Sequence, residues 1–377
     1  MQIPKKSAIN FSHINILLKI FILFKYYLKK MIQRNIKFSK KRNNLRSIVF
    51  ARAICCLGIV VFHYFCHSNN HSKLFHSTSN SSWGYIYVTC FFSISGIVLY
   101  YNYPDNSSIK KFYFKRWKSI FPIYYLCFLY FYHNNVLESK NFFYNGNWTK
   151  LILTLFGVDG YLGYKFITYS MIGEWFLGAI VIIYSLYPII VLIFNKNKFV
   201  IPIFLFFGFV IMAKTNYFEI EIYKNLITCF SSFYFGMVFI KNKNFFLNKI
   251  VIFITFCINI FLYFKEIHSN FPLFIYQIQG FTFLIILICF GKIIMNSRLQ
   301  YFFNEISRLS YCIFLFQHKT IRNVFSIYNP TSWHKTFFTL GVIILLTIIY
   351  SKIILTVIES IYKSRVFIII ESYFVQN

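Results

Sequence analysis

The sequence predicts an all-α protein, a polytopic transmembrane helical bundle of about ten helices. Three observations predict it. First, 58% of the 377 residues are apolar and only 13% are charged, whereas a soluble domain is about a quarter charged; mean hydropathy is +0.57. That leaves too little polar surface to cover a water-soluble globule. Second, apolar runs recur at lengths near the roughly 20 residues that cross a bilayer core. Third, the basic residues concentrate in alternate loops between those runs, as the positive-inside rule requires.

Ten segments meet the pattern, near residues 47–66, 84–102, 118–132, 174–194, 199–213, 225–240, 250–264, 272–291, 308–326 and 336–358. The third, fifth and seventh are short. A further short buried helix is expected within 149–157. With the N-terminus in the cytoplasm, most of the 39 Lys and Arg fall on inner segments. An even number of crossings returns the C-terminus to the same side. The domains are then a basic cytoplasmic segment 1–46, a transmembrane domain 47–358 and a cytoplasmic tail 359–377.

The first 46 residues carry twelve basic and no acidic residues. They read as an orientation signal with affinity for anionic membrane lipid. The apolar stretch 14–24 is interrupted at Lys19 and bounded by Lys25, and lacks a small-residue cleavage site. It reads as an amphipathic helix on the lipid surface. The formal charge of +29 follows from this layout, so no nucleic-acid partner is expected. The nine cysteines lie mostly inside apolar runs and form no CxxC pair, which argues against a disulfide framework and a zinc site.

Ionisable residues within spans are costly and point to function. Arg52 and His63 stand eleven positions apart in the first span. Eleven residues make about three helical turns, so both lie on nearly one face, about 16 Å apart along the axis. A cation at one end and a titratable base at the other would suit an extended ligand. The alternative is a snorkelling arginine and a hydrogen-bonded core histidine. In the second span Ser95-Gly96 is a small pair that allows close helix approach. The basic, aromatic run Phe114–Tyr124 leads into the third span. Arg116 there is either an interfacial anchor or a phosphate ligand. Glu174 opens the fourth span, where a helix N-terminus favours a carboxylate. Gln317 and His318 lie inside the ninth. His63, His67 and His71 share a four-residue spacing, but no HExxH pattern accompanies them, and no metal is expected.

Together these pieces resemble the acyltransferase 3 family, polytopic membrane O-acyltransferases that often acetylate surface sugars. Arg52 and His63 match its Arg-x10-His signature. Phe91-Phe92 with Ser95-Gly96 looks like its Phe-Phe-x-x-Ser-Gly element. Arg116, Pro122 and Tyr124 resemble its Arg…Pro-x-Tyr element, Glu174 its Trp-Ser-Leu-x-x-Glu, and Ser310-Tyr311 with His318 its late Ser-Tyr…Leu-x-His. Tyr169 stands in place of the usual Trp before Ser170, Tyr87 in place of a common Gly, and Lys118-Ser119 in place of a more arginine-rich pair.

The resemblance implies catalysis by His63 and Glu174, and binding of acyl-CoA, most often acetyl-CoA, by Arg52 and Arg116. His318, Ser95 and Tyr124 are then substrate-facing or structural polar residues. No permanently bound cofactor is implied. The acceptor would be a carbohydrate or glycolipid, with membrane lipid as the surrounding partner, and the oligomeric state stays open. An ordinary imidazole pKa of about 6.5 suits a base or a transient acyl carrier. Low Gly and Ala content, with much Lys, Asn, Ile, Phe and Tyr, hints at an AT-rich genome and so at a bacterium, whose inner membrane is the expected location. The main alternative is a transporter or flippase for lipid-linked sugars, which requires no catalytic histidine. A scaffold without chemistry would leave the buried Arg52, His63 and His318 without a reason.

Overall fold

Backbone polar groups have no water to bond in hydrocarbon, so a spanning chain must satisfy them internally, as helices do. The computed structural model describes residues 45–68, 82–105, 108–144, 146–170, 175–215, 219–264, 272–295 and 298–376, and these contain helices and no strand. The basic arm 1–44, the amphipathic 14–24 segment, His71 and Glu174 lie outside the described residues.

In chain order the helices are α1 (Arg46–His67), α2 (Ser82–Asn102), α3 (Ile109–Ser139), α4 (Leu151–Leu155), α5 (Asp159–Leu162), α6 (Trp175–Lys196), α7 (Val200–Lys214), α8 (Leu226–Lys241), α9 (Lys243–Phe246), α10 (Lys249–Phe264), α11 (Pro272–Ile294), α12 (Gln300–Ile327), α13 (Trp333–Tyr362) and α14 (Arg365–Gln376). Each of the ten expected segments falls on one of these helices. The expected count of about ten is nonetheless corrected: fourteen helices occur among the described residues. The additions are the short α4, α5 and α9, and α14 within the expected tail. The 149–157 stretch is helical, but only Thr154 of α4 is buried.

Among the described residues five helices are long and apolar enough to cross a membrane: α1, α2, α6, α11 and α13. The other five segments miss this standard for two reasons. Helices α7, α8 and α10 have 15 or 16 residues, about 23 Å, against a hydrocarbon core of about 30 Å. Helices α3 and α12 are long, at 31 and 28 residues, but extend into charged sequence. The α3 helix begins nine residues before the expected start at 118, because Ile-Lys-Lys-Phe-Tyr-Phe-Lys-Arg-Trp contains no helix breaker.

Lipid is as apolar as leucine, so these helices are held by packing and interhelical hydrogen bonds rather than by hydrophobic drive. The tightest crossing joins α2 and α8. A Cβ built on Gly96 would lie 2.0 Å from the Phe233 carbonyl oxygen, and one on Gly236 would lie 1.9 Å from that of Ser93. The Ser93 hydroxyl donates to the Ser232 carbonyl at 2.9 Å. Gln277 of α11 donates to the Ser231 hydroxyl at 2.7 Å and the Thr228 carbonyl at 3.1 Å. Asn259 of α10 donates to Thr282 Oγ1 at 2.9 Å.

Helix α1 stands at the seam of two apolar clusters. Ile48, Ala51 and Cys55 pack with α2 and α11. Ala53, Cys56, Val60 and Tyr64 pack with α12 and α13. Relative directions follow from the contacts. Phe50 meets Phe303 at 4.7 Å between ring centroids, and His63 meets His318 at 4.0 Å, so α1 and α12 run parallel. Tyr64 at the far end of α1 donates to the Thr336 carbonyl at the start of α13, at 2.8 Å, so α13 runs back. The bundle thus has an arginine end, where α1 begins, and a histidine end, where it finishes.

Candidate active site

At the histidine end the last turns of α1 meet the second half of α12 and bring three imidazoles together. The His63 and His318 rings lie 4.0 Å apart between centroids, tilted by 57°. His67, one turn beyond His63, stands 6.3 Å from His318, edge-on at 79°. The two helices approach because Ala53 and Cys56 present little bulk to Leu309 and Ile313. Cys56 Sγ contacts the Ser310 carbonyl at 3.8 Å. His63 and His318 are both partly buried. Beside them Gln317 is fully buried, and neither its amide nitrogen nor its amide oxygen has a partner. A buried unsatisfied amide is rare and marks a place where a further donor or acceptor is needed. Among the described residues no group of three or more metal-ligating side chains is poised to hold an ion.

The arginine end gathers Arg52 of α1 and Arg116 of α3. Arg52 interacts electrostatically with Tyr184 of α6 and with Arg116. The Arg116 guanidinium carbon lies 5.9 Å from the Tyr184 ring centroid and 6.0 Å from that of Tyr103, within cation–π range. Its Nε is buried without a partner. The four ion pairs among the described residues are Lys118–Glu371, Lys224–Glu221, Arg308–Glu305 and Arg308–Glu359. None includes Arg52 or Arg116. The two partly buried guanidinium groups repel each other, and an anion between them would remove that cost.

The other sequence-derived candidates sit elsewhere. The Ser95 hydroxyl donates to the Phe91 carbonyl one turn back, at 2.9 Å, and its neighbour Gly96 forms the α8 crossing. Tyr124 is fully buried, and its hydroxyl donates to Asp159 Oδ1 at 3.1 Å. Asp159 also accepts from Thr154 Oγ1 at 2.9 Å and from the Gly160 amide at 2.9 Å. This carboxyl pins the α4–α5 segment onto α3. Burial raises its pKa, against the pull of these three hydrogen bonds. Trp175, which follows Glu174, opens α6; the next residue, Phe176, packs on Phe92 and Phe314 at 4.7 and 5.3 Å.

Sequence reasoning passed over Tyr184, Tyr103 and Asp159. Asp159 carried a readable signal, a lone acid in the apolar run Leu-Ile-Leu-Thr-Leu-Phe-Gly-Val-Asp. The two tyrosines carried none, because their role depends on which helix faces Arg116.

No curated protein and no solved structure matches the chain. A family model described as an acyltransferase domain matches residues 45–355, from the first turn of α1 into α13. With both histidines and both arginines inside that range, the chain belongs to the acyltransferase 3 family of membrane acyltransferases.

Proposed function

We propose that the chain is an O-acyltransferase that moves an acyl group, by preference acetyl, from cytoplasmic acyl-CoA to a hydroxyl of a cell-surface or lipid-linked carbohydrate. The observation that carries this reading is α1 itself. At one end of α1 Arg52 interacts with Arg116 of α3, at the other His63 meets His318 of α12, and Arg52 and His63 stand about 16 Å apart along the axis. An elongated donor with phosphates at one end and a thioester at the other fits that spacing.

In this reading Arg52 and Arg116 hold the phosphates, since guanidinium groups suit phosphate oxygens. Tyr103 and Tyr184 hold the Arg116 guanidinium from its faces. The thioester reaches His63, which takes the proton of the acceptor hydroxyl as its oxygen attacks the thioester carbonyl. The new C–O bond forms, the C–S bond breaks, and the imidazolium returns its proton to the departing thiolate. The ester and free CoA leave. The His318 ring orients His63, and Gln317 offers its unpaired amide to the acceptor or to a water beside it. The arginine end faces the cytoplasm, in keeping with the basic loops.

The test is mass spectrometry of O-acetyl content on the surface polysaccharide. Cells carrying wild-type chain, no chain, and His63→Ala at matched membrane levels are compared. Acetyl present with wild type alone supports the proposal. Acetylation that survives His63→Ala refutes the role of His63. Loss of the whole polymer in cells lacking the chain would favour a lipid-linked sugar transporter instead.

A further inference from the structure

Helices α10 and α11 form an antiparallel pair on the outside of the bundle. Between them runs a groove of about 340 Å³. One face of each helix lines it, Lys249, Phe253 and Phe256 on α10 and Ile286, Phe290 and Ile293 on α11. On each helix these positions recur at three- or four-residue steps, the spacing of a single helical face. The apolar side chains stand out rather than in: Phe253 is 67% and Ile293 73% exposed. At roughly 30 Å³ for each group the size of a water molecule, the groove takes about eleven. That is the scale of a chain rather than of a small solute.

Charge identifies the occupant. The apolar length of the groove ends at Lys249, level with Ile293. Lys292 adjoins Ile293, Lys243 opens the short helix α9 just before α10, and Arg298 lies on the connection that follows α11. Segments 241–250 and 291–304 contain no acidic residue. Lys249 takes part in none of the four ion pairs among the described residues. An ammonium at the end of an apolar trough, among further cations, is complementary to a phosphate joined to a hydrocarbon tail. A zwitterionic headgroup would bring its own ammonium into the same cluster and lose much of that attraction.

We infer that the α10–α11 groove is a binding site for one anionic phospholipid, its acyl chain along Phe253, Phe256 and Phe290 and its phosphate on Lys249. The site lies on the outer flank of α11, apart from the imidazole and guanidinium pairs, and does not depend on the proposed reaction.

The test uses the full chain in nanodiscs of equimolar phosphatidylglycerol and phosphatidylcholine, with co-released lipid read by native mass spectrometry. Wild type should retain phosphatidylglycerol over phosphatidylcholine by fivefold or more. Lys249→Gln should bring that ratio to about one. Cys289→Trp, which fills the groove from its floor, should release the retained lipid altogether. A second exposed-face variant, Phe206→Ala on α7, should change nothing. Equal retention of the two lipids by wild type would overturn the inference. So would a preference that survives Lys249→Gln, or a phosphatidylglycerol adduct that survives Cys289→Trp. A narrow charge-state distribution in the same spectra shows that each variant is folded.

Discussion

Replacing Gly96 by alanine tests the packing that holds α2 against α8. The added methyl would lie 2.0 Å from the Phe233 carbonyl oxygen, where real Cβ atoms keep at least 3.0 Å. The obstacle is backbone, so no rotamer change relieves it. The helices must part by roughly 1 Å, and overpacking of this kind costs about 1–3 kcal/mol. A gap of that size forfeits about a quarter to a half of the dispersion between facing atoms. It also stretches the Ser93–Ser232 bond beyond its 2.9 Å, at about 0.6 kcal/mol for an interhelical bond in a membrane. A loss of roughly 2–4 kcal/mol follows. Gly341→Ala is the control, because a Cβ there meets nothing within 4 Å. It should be neutral, or stabilise by up to about 1 kcal/mol through helix propensity. Both variants are measured by equilibrium unfolding in mixed micelles, followed by tryptophan fluorescence. If Gly96→Ala unfolds with wild type, or Gly341→Ala falls as far as Gly96→Ala, the packing argument is wrong.

Three further outcomes are expected. His318→Ala should lower acyl transfer without lowering membrane levels, and by less than His63→Ala, because it removes only the ring that orients the base; in vitro transfer rates check this. Asp159→Ala removes the acceptor of three buried hydrogen bonds and should cost about 1–3 kcal/mol, whereas Asp159→Asn keeps an acceptor and should cost less. The folded-state pKa of Asp159 is raised, so its contribution to stability is present below the unfolded value of about 3.9 and is lost as pH rises through the folded value. Asp159→Asn should flatten that pH dependence in thermal melts. Finally, Lys118 and Glu371 pair at 2.7 Å with side chains 23% and 38% exposed; a double-mutant cycle should return no more than about 1 kcal/mol, leaving the stacking of Phe114 on Phe374, at 5.0 Å, to hold α14 in place.

The helices were legible because apolar runs and bilayer thickness constrain them directly. Helix ends were less so. The α3 helix takes in Ile109–Trp117 because nothing in that basic run breaks it, and a hydropathy reading stops where charge begins. The α14 helix looks like tail in the sequence because Arg365–Gln376 has only 12 residues, too few to cross a bilayer, and its docking depends on Phe114 and Lys118 far away in sequence. The candidate site divides the same way. His63, His318, Arg52 and Arg116 each stood out as costly residues near apolar sequence. That the imidazoles touch, and that the guanidinium groups share Tyr184, follows from which helices are neighbours, and no local pattern encodes that.

The parallel course of α1 and α12 bears on how the molecule is made. Helices that run the same way cannot be joined by a tight turn, and the contact between Cys56 and Ser310 closes a loop of 254 positions. A chain threaded into the bilayer from its N-terminus places His63 early and leaves it without its partner ring until nearly the whole domain has been synthesised. A polypeptide cut short before α12 would therefore insert and still lack the imidazole pair. Two separately expressed pieces, divided in the loop before α12, could regain it only by meeting again within the membrane.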